Sequence, residues 1–225
     1  MANTAKSLFT RFPPSAFLLA AQLLQLILYA AFDGQHSQRA LLSAFGGLVL
    51  GLVVWVVLHS PAVNWVAWAI AVPAFILTML SAVFEGEILL GWSSLLEALL
   101  YFYAAGSLIA YMMKDTHVTP DELYAAGATF TLLAWGYAYS YMAVQAFLPA
   151  SFVDNIHPGK VMSFIELLFL SFTNLTATGV SDILPANASA RVLIMLEQMT
   201  GVGYVAIVVS RLIGMTLQRQ RNKHV

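Results

Sequence analysis

The chain has 225 residues, of which 60% are hydrophobic and only 9% charged, and its formal net charge is −1. A soluble domain carries about 25% charged residues, so this composition excludes a fully water-facing surface and indicates an integral membrane protein. The near-zero charge gives no reason to expect a nucleic acid partner, and the lack of cysteine excludes disulfides and thiolate chemistry. No nucleophile–base or metal-ligand constellation stands out, so neither an enzyme nor an organic cofactor is expected.

Six hydrophobic spans follow one another along the chain, and each is near the length that crosses about 30 Å of hydrocarbon. They lack the strict alternation of an outer-membrane strand, so the sequence predicts helices. The expected spans cover residues 14–32, 40–58, 62–84, 89–113, 122–148 and 188–215.

A helix-start pattern divides the chain into two parts. Thr119 can cap the helix, Pro120 suits its first turn, and Asp121 and Glu122 complement the positive helix end. We therefore predict a four-helix domain over residues 1–118 and a second functional domain over residues 119–225.

The basic residues indicate how the chain is oriented in the membrane. Six spans place both termini on one side, and the following basic residues fall on that side: Lys6, Arg11, Lys114, Arg211, Arg219, Arg221 and Lys223. The other side has only Arg39, Lys160 and Arg191. The positive-inside rule predicts that both termini are cytoplasmic, and we expect a bacterial inner (plasma) membrane.

One apolar stretch is too short to be a seventh span. Residues 161–175 are apolar, but the polar run 173–182 follows directly. Non-helical backbone at membrane depth is tolerated only where protein buries it or water lines it. The sequence therefore predicts a re-entrant helix that stops midway and returns as an extended, water-lined loop.

The short helix and the loop after it resemble the pore region of tetrameric potassium channels. The residues Glu166-Leu167-Leu168-Phe169-Leu170-Ser171-Phe172-Thr173-Asn174-Leu175-Thr176 are similar to a bacterial pore helix. Gly179, Asp182 and Pro185 fall where that family has its filter glycine, outer-mouth aspartate and following proline. The last span resembles the inner helix of six-helix channel-like proteins through Arg191, Leu196-Glu197, Gly201, Tyr204 and Ser210-Arg211-Leu212-Ile213-Gly214.

The resemblance, which covers about residues 154–214, implies an all-α membrane protein with six transmembrane helices, a re-entrant pore helix and a filter loop. Four identical copies would surround a central pore in the lipid bilayer, where carbonyl rings replace the water around an ion. The implied ion pathway comprises Thr176, Ala177, Thr178, Gly179, Val180, Ser181 and Asp182. A bound monovalent cation, K+ or Na+, is expected at Thr178, Gly179 and Val180.

The centre of the loop departs from the family filter, which reads Thr-Val-Gly-Tyr-Gly where this chain has Ala177-Thr178-Gly179-Val180-Ser181. Ala177 removes a hydroxyl ring unless Thr176 or Thr178 replaces it, and Val180 removes a bracing tyrosine. Ser181 replaces a glycine, so we expect Gly179 to be the only filter residue with a positive φ. The similar single-glycine loops of Trk- and Ktr-type potassium transporters imply that such a loop still conducts. We expect either weakened K+ selectivity or a filter that conducts only after it rearranges.

Two intramembrane carboxylates and one glycine have two interpretations each. Glu197 in the last span either bonds behind the filter or coordinates ions. Glu97 is either a functional intramembrane acid or a solvated carboxylate near the outer interface, and the second interpretation is favoured. Gly201 serves either as a gating hinge or as a site of close helix packing.

Glu166 and Arg191 are expected near the outer mouth, where each can pair with a neighbour. An ion pair between Arg191 and Asp182 is one possibility. Both residues are therefore candidates for gating or filter support.

The fourth span has no Arg or Lys between residues 89 and 113, so steep voltage gating by that helix is not expected. The sequence thus favours a monovalent cation channel with altered K+ selectivity. The alternatives are a channel that does not select among monovalent cations, and a non-conducting membrane scaffold or sensor that keeps the channel fold.

Overall fold

A computed structural model describes residues 14–31, 49, 51–55, 64–84, 86–114, 120–157, 159–211 and 213–214. Among them, residues 49 and 51–55 are helical. The longer helices are α1 (Pro14–Ala31), α2 (Asn64–Phe84), α3 (Glu87–Lys114), α4 (Pro120–Phe147), α5 (Phe164–Leu175) and α6 (Ala188–Tyr204). Two short strands, β1 (Phe152–Asp154) and β2 (Ile183–Pro185), flank α5, and α6 continues as a π-helical turn over Val205–Val209.

The helices agree with the predicted spans wherever the structure describes them. Most of the second span, residues 40–58, lies outside the described residues. Two described helices, Glu87–Lys114 and Ala188–Val209, are long and apolar enough to cross a membrane. The apolar parts of α1 and α2 are shorter, Ser15–Tyr29 and Trp65–Ser81. The chain is therefore a mostly helical membrane protein, while the full set of six spans stays a prediction.

The chain forms two compact units. One comprises Met1–Asn64, Ala104–Thr131 and Arg211–Val225, and the other comprises Trp65–Tyr103 and Leu132–Ser210. The functional division at residue 118 stays a prediction.

In the first unit, polar contacts join α1 to the beginning of α4. The Thr131 hydroxyl donates to Gln22 Oε1 at 2.5 Å. The Leu19 side chain packs against Gly127, in the space that a β-carbon would fill. Asp121, in the first turn of α4, accepts hydrogen bonds from Ser15 and from Tyr111. A carboxylate at this position also complements the positive end of the helix, as the sequence predicts for this helix start.

In the second unit, α4 packs on α5 through buried aromatic and aliphatic side chains. Trp135 is fully buried, and its ring meets Phe172 edge-on with centroids 6.2 Å apart. Glu97 of α3 is buried in the same unit, with only 6% of its surface exposed. The favoured interpretation of Glu97 as a solvated carboxylate is therefore wrong, because helices α2 and α4 cover it.

A two-stranded ribbon joins the segment before α5 to the segment after the loop. Strands β1 and β2 are antiparallel, with Val153 opposite Leu184. The backbone N–H of Asn155 donates to the Asp182 carbonyl at 3.1 Å and extends this pairing. The all-α prediction therefore needs one correction: short apolar runs on both sides of the loop pair as strands and anchor its outer end.

Candidate ion pathway

The first turn of α5 is fixed by a carboxylate at its third position. Glu166 Oε2 accepts from the backbone N–H of Ser163, the N-cap residue, at 2.8 Å. Lys160 Nζ lies 2.5 Å from Glu166 Oε1. This arrangement satisfies a helix-end donor and places negative charge at the positive helix end. Glu166 therefore stabilises the start of α5, and its observed partner is Lys160.

The other end of α5 closes in a Schellman motif. The Thr178 N–H donates to the Thr173 carbonyl at 2.9 Å, and the Ala177 N–H donates to the Asn174 carbonyl at the same distance. These are the 6→1 and 5→2 bonds of the motif. The Gly179 N–H also reaches the Thr173 carbonyl, at 3.1 Å. The loop therefore turns three successive N–H groups back towards the helix.

Ala177 occupies the position in this motif that glycine normally takes. Its φ is +56°, and that of Gly179 is +65°. The expectation that Gly179 alone would have a positive φ is wrong, because the Schellman turn forces the left-handed conformation on the residue after the cap. For an alanine this conformation costs about 1–2 kcal/mol. Ser181, by contrast, is not among the described residues with positive φ.

The carbonyl side of the loop is left open. Within the described part of the chain, the carbonyl oxygens of Ala177, Thr178 and Val180 accept no hydrogen bond, and residues 176–180 are exposed. The hydroxyls of Thr176 and Thr178 lie 3.1 Å apart and reach carbonyls at the end of α5. A hydroxyl that donates keeps lone pairs for a further partner. The loop thus presents carbonyl and hydroxyl oxygens on a surface from which its N–H groups are withdrawn.

Ser181 makes the turn from the loop into β2. Its N–H reaches the Gly179 carbonyl at 3.2 Å, and its Oγ accepts from the Ile183 N–H at 3.1 Å. Val180 has no ring or hydroxyl to brace the loop, and 69% of its surface is exposed. The outer half of the loop is held instead by this turn and by the ribbon.

Glu197 lies behind the loop, completely buried in α6. Its carboxyl group forms hydrogen bonds with the Tyr141 hydroxyl of α4 and the Ser171 hydroxyl of α5. The Ser171 hydroxyl also lies 2.8 Å from the Ala134 carbonyl of α4. Glu197 therefore joins three helices, which supports the interpretation that it bonds behind the filter.

The polar residues that link α4, α5 and α6 around Glu197 were missed by the sequence interpretation, although their spacing carried a signal. Tyr137 and Tyr141 lie four residues apart on α4, and Tyr137 contacts Thr200 at 2.7 Å one turn along α6 from Glu197. Ser171 and Asn174 are spaced three apart, as residues on one helix face are. Polar residues at these spacings in apolar helices indicate that they face one another where the helices pack together.

Gly201 is where α6 approaches the end of α5 most closely. A β-carbon there would overlap the Leu175 carbonyl oxygen and lie 2.8 Å from its carbonyl carbon. Gly203, two residues later, has open space around it. Of the two interpretations of Gly201, the structure therefore favours close packing.

Three charged residues lie in or beside the ribbon and the first turn of α6: Asp154, Asp182 and Arg191. Asp182 is exposed, and Arg191 Nε donates to the Pro185 carbonyl at 3.4 Å, while no Arg191–Asp182 ion pair occurs among the described residues. The Ile156 N–H donates to Asp154 Oδ1 at 2.7 Å and holds the pKa of that carboxyl below its usual range. No group of three or more His, Asp or Glu in the described ranges is arranged to hold a metal ion.

Comparison with protein families gives a match over the segment that contains these elements. Residues 127–218, from within α4 to beyond α6, match a family described as "Ion channel". Neither curated proteins nor solved structures give a match to the chain.

Proposed function

We propose that four copies of this chain form a pore for monovalent cations, a function in keeping with the match of residues 127–218 to a family described as "Ion channel". The observation that carries the proposal is the polarity of the loop after α5. Its N–H groups at residues 177–179 turn to the helix end, whereas the carbonyl oxygens of Ala177, Thr178 and Val180 are open. A ring of such oxygens can replace the hydration shell of a cation.

One chain supplies one loop, so a closed oxygen ring requires several copies around an axis. The family geometry implies four. The negative dipole end of α5 would then point towards the centre and favour a cation there. The hydrogen bonds that the Thr173 and Asn174 carbonyls receive from the loop offset part of that partial charge.

We further propose that K+ selectivity is weaker than in a Thr-Val-Gly-Tyr-Gly filter. The left-handed residues are Ala177 and Gly179, and Ser181 instead closes a turn. The stretch of loop available for stacked carbonyl sites therefore ends near Val180. Hydroxyls of Thr176 and Thr178 take the place of the hydroxyl that Ala177 lacks.

The same proposal includes the placement of the chain. Six membrane spans, cytoplasmic termini and a bacterial inner membrane agree with the distribution of basic residues. The pore loop would then enter from the outer side, where Asp154 and Asp182 concentrate cations near the mouth.

Cation flux from liposomes that contain the purified full-length chain tests the proposal, with cross-linking to establish the number of subunits. We expect tetramers that release K+ and Na+, and a strong loss of flux in Gly179→Ala. Gly159→Ala is the matched control, because Gly159 also has a positive φ (+86°) and open surroundings but lies outside the loop. A folded tetramer without flux would contradict the proposal and favour the non-conducting scaffold.

A further inference from the structure

Glu97 on α3 forms a second buried acid cluster that resembles the one around Glu197. The Thr78 hydroxyl of α2 lies 2.6 Å from Glu97 Oε1, and the Tyr139 hydroxyl of α4 also bonds to this carboxyl group. Glu197 has the same set of partners, an aliphatic hydroxyl and a tyrosine. Each buried acid therefore joins its own helix to α4 and to one other helix.

The two clusters lie on opposite sides of α4. Tyr139 and Tyr141 are two residues apart, which corresponds to about 200° around a helix. Tyr139 reaches Glu97, and Tyr141 reaches Glu197. Helix α4 is therefore held between α2 and α3 on one side and the pore-forming elements on the other.

The hydroxyl contacts indicate that Glu97 carries a proton. The Thr78 hydroxyl has one hydrogen, yet its oxygen lies near both Glu97 Oε1 and the Ala74 carbonyl, at 2.6 and 2.9 Å. A carboxylic acid donates to Thr78, Thr78 then donates to Ala74, and Tyr139 donates to the acid, so all three contacts are hydrogen bonds. A carboxylate would make only two of them.

In the described part of the chain, no positively charged side chain would compensate a negative charge on Glu97. Within the described residues, no Lys, Arg or His lies within ion-pair distance of it. Its only titratable partner on α4 is Tyr139, its partner on α2 is the non-ionising Thr78, and Tyr101, on α3 itself, stacks on Tyr139. A buried charge without a partner is strongly disfavoured, whereas a neutral acid is not.

Tyr139 also contacts the start of the pore helix. Its ring packs against that of Phe164, the first residue of α5, with centroids 4.6 Å apart. The ring of Tyr101 stacks on Tyr139 from α3 at 5.4 Å. A continuous chain of contacts thus runs from Thr78 through Glu97 and Tyr139 to α5.

We propose that Glu97 is a proton-binding site that couples α2 and α3 to the pore helix, and that this site sets how readily the pore opens but not which cation passes. The second part rests on the proposed channel function. The site lies on the far side of α4 from Glu197 and away from the loop oxygens, so its loss leaves the oxygen ring unchanged.

Infrared difference spectroscopy of the full-length chain in lipid, at neutral pH, tests the bound proton without requiring conduction. Glu97→Gln should remove a carbonyl-stretch band of a protonated carboxylic acid. The matched control is Glu87→Gln, because Glu87 lies on the same helix but is exposed, and it should remove carboxylate bands only. Loss of carboxylate bands in Glu97→Gln would overturn the assignment of the proton.

Flux and reversal-potential measurements test the coupling. Glu97→Leu should lower the open probability about ten-fold, the effect of one lost buried hydrogen bond, and leave the K+/Na+ reversal potential unchanged. Glu97→Gln should restore most of the flux, because its amide donates to Thr78 and accepts from Tyr139. Tyr139→Phe keeps both ring contacts and should lower the open probability similarly, without adding to the effect of Glu97→Leu.

Three results would overturn the coupling: Glu97→Gln as impaired as Glu97→Leu, a shifted reversal potential, or additive losses in the double variant. If Glu97→Leu does not assemble, Tyr139→Phe alone decides, since full open probability in that variant refutes the coupling. Absence of flux from the unmodified tetramer would instead refute the channel function, and the infrared measurement would still decide the protonation of Glu97.

Discussion

Replacing Gly201 by alanine tests how α6 positions the loop that follows α5. The added β-carbon would meet backbone atoms of Leu175, with the carbonyl carbon at 2.8 Å and the α-carbon at 3.0 Å. Backbone atoms at a helix end cannot rotate aside as a long side chain can. The substitution should therefore displace the end of α5, which directly precedes the loop oxygens.

The effect can be separated from helix propensity by the matched variant Gly203→Ala, where an added β-carbon meets nothing within 4 Å. Both substitutions gain about 1 kcal/mol of helix propensity. Only Gly201→Ala adds the overpacking cost of about 1–3 kcal/mol, and the backbone contact places it near the upper value. The free energies of unfolding should therefore differ by about 3 kcal/mol, which corresponds to a difference in Tm of about 6–12 °C.

Thermal unfolding of both variants in the same detergent measures this difference, and reversal potentials show whether the loop has moved. We expect Gly201→Ala to unfold earlier and to change the K+/Na+ permeability ratio, with Gly203→Ala more stable than the original chain. Equal stabilisation by both substitutions would refute the packing argument. If Gly201→Ala then also lost conduction, the hinge interpretation would be supported.

Two further predictions concern the start of the loop at Ala177 and the ribbon that holds its outer end. Ala177→Gly should stabilise the protein by about 1 kcal/mol per subunit and change ion permeation. The control is Ala150→Gly, at a second alanine with positive φ (+60°) outside the loop, which should stabilise equally without changing permeation. An unchanged permeability ratio in Ala177→Gly would contradict its place in the pathway. Because the folded-state pKa of Asp154 is depressed, its stabilisation is present above its unfolded pKa of about 3.9 and is lost as the pH falls through the lower folded value. Protection of the ribbon amides, measured as the exchange rate relative to the intrinsic rate at the same pH, should therefore fall below about pH 4 in the original chain, and Asp154→Asn should remove that fall. The same fall in Asp154→Asn would refute the role of this carboxylate.

The features that the sequence predicts well are those set by local pattern. The short helix α5 follows from an apolar stretch too short to span a membrane, and the start of α4 follows from Pro120 and Asp121. The family match over residues 127–218 confirms the resemblance that the flanks of the loop suggested.

The features that the sequence did not predict depend on contacts between distant residues. The left-handed Ala177 follows from hydrogen bonds to Thr173 and Asn174, which the residue type itself opposes. The burial of Glu97 requires Thr78 and Tyr139 from other helices, so its depth along one helix could not reveal it. Three-residue strands such as β1 and β2 are too short to show an alternating pattern.

The loop oxygens of residues 176–182 are proposed to form a cation pathway with reduced K+ selectivity. The most direct measurement is the reversal potential of the reconstituted tetramer between equal K+ and Na+ solutions. We predict cation current with a reversal potential displaced by less than about 59 mV, the value for a tenfold permeability ratio of monovalent ions. A much larger displacement towards K+ would contradict the weakened selectivity, and anion current or no current from a folded tetramer would contradict the cation pathway itself.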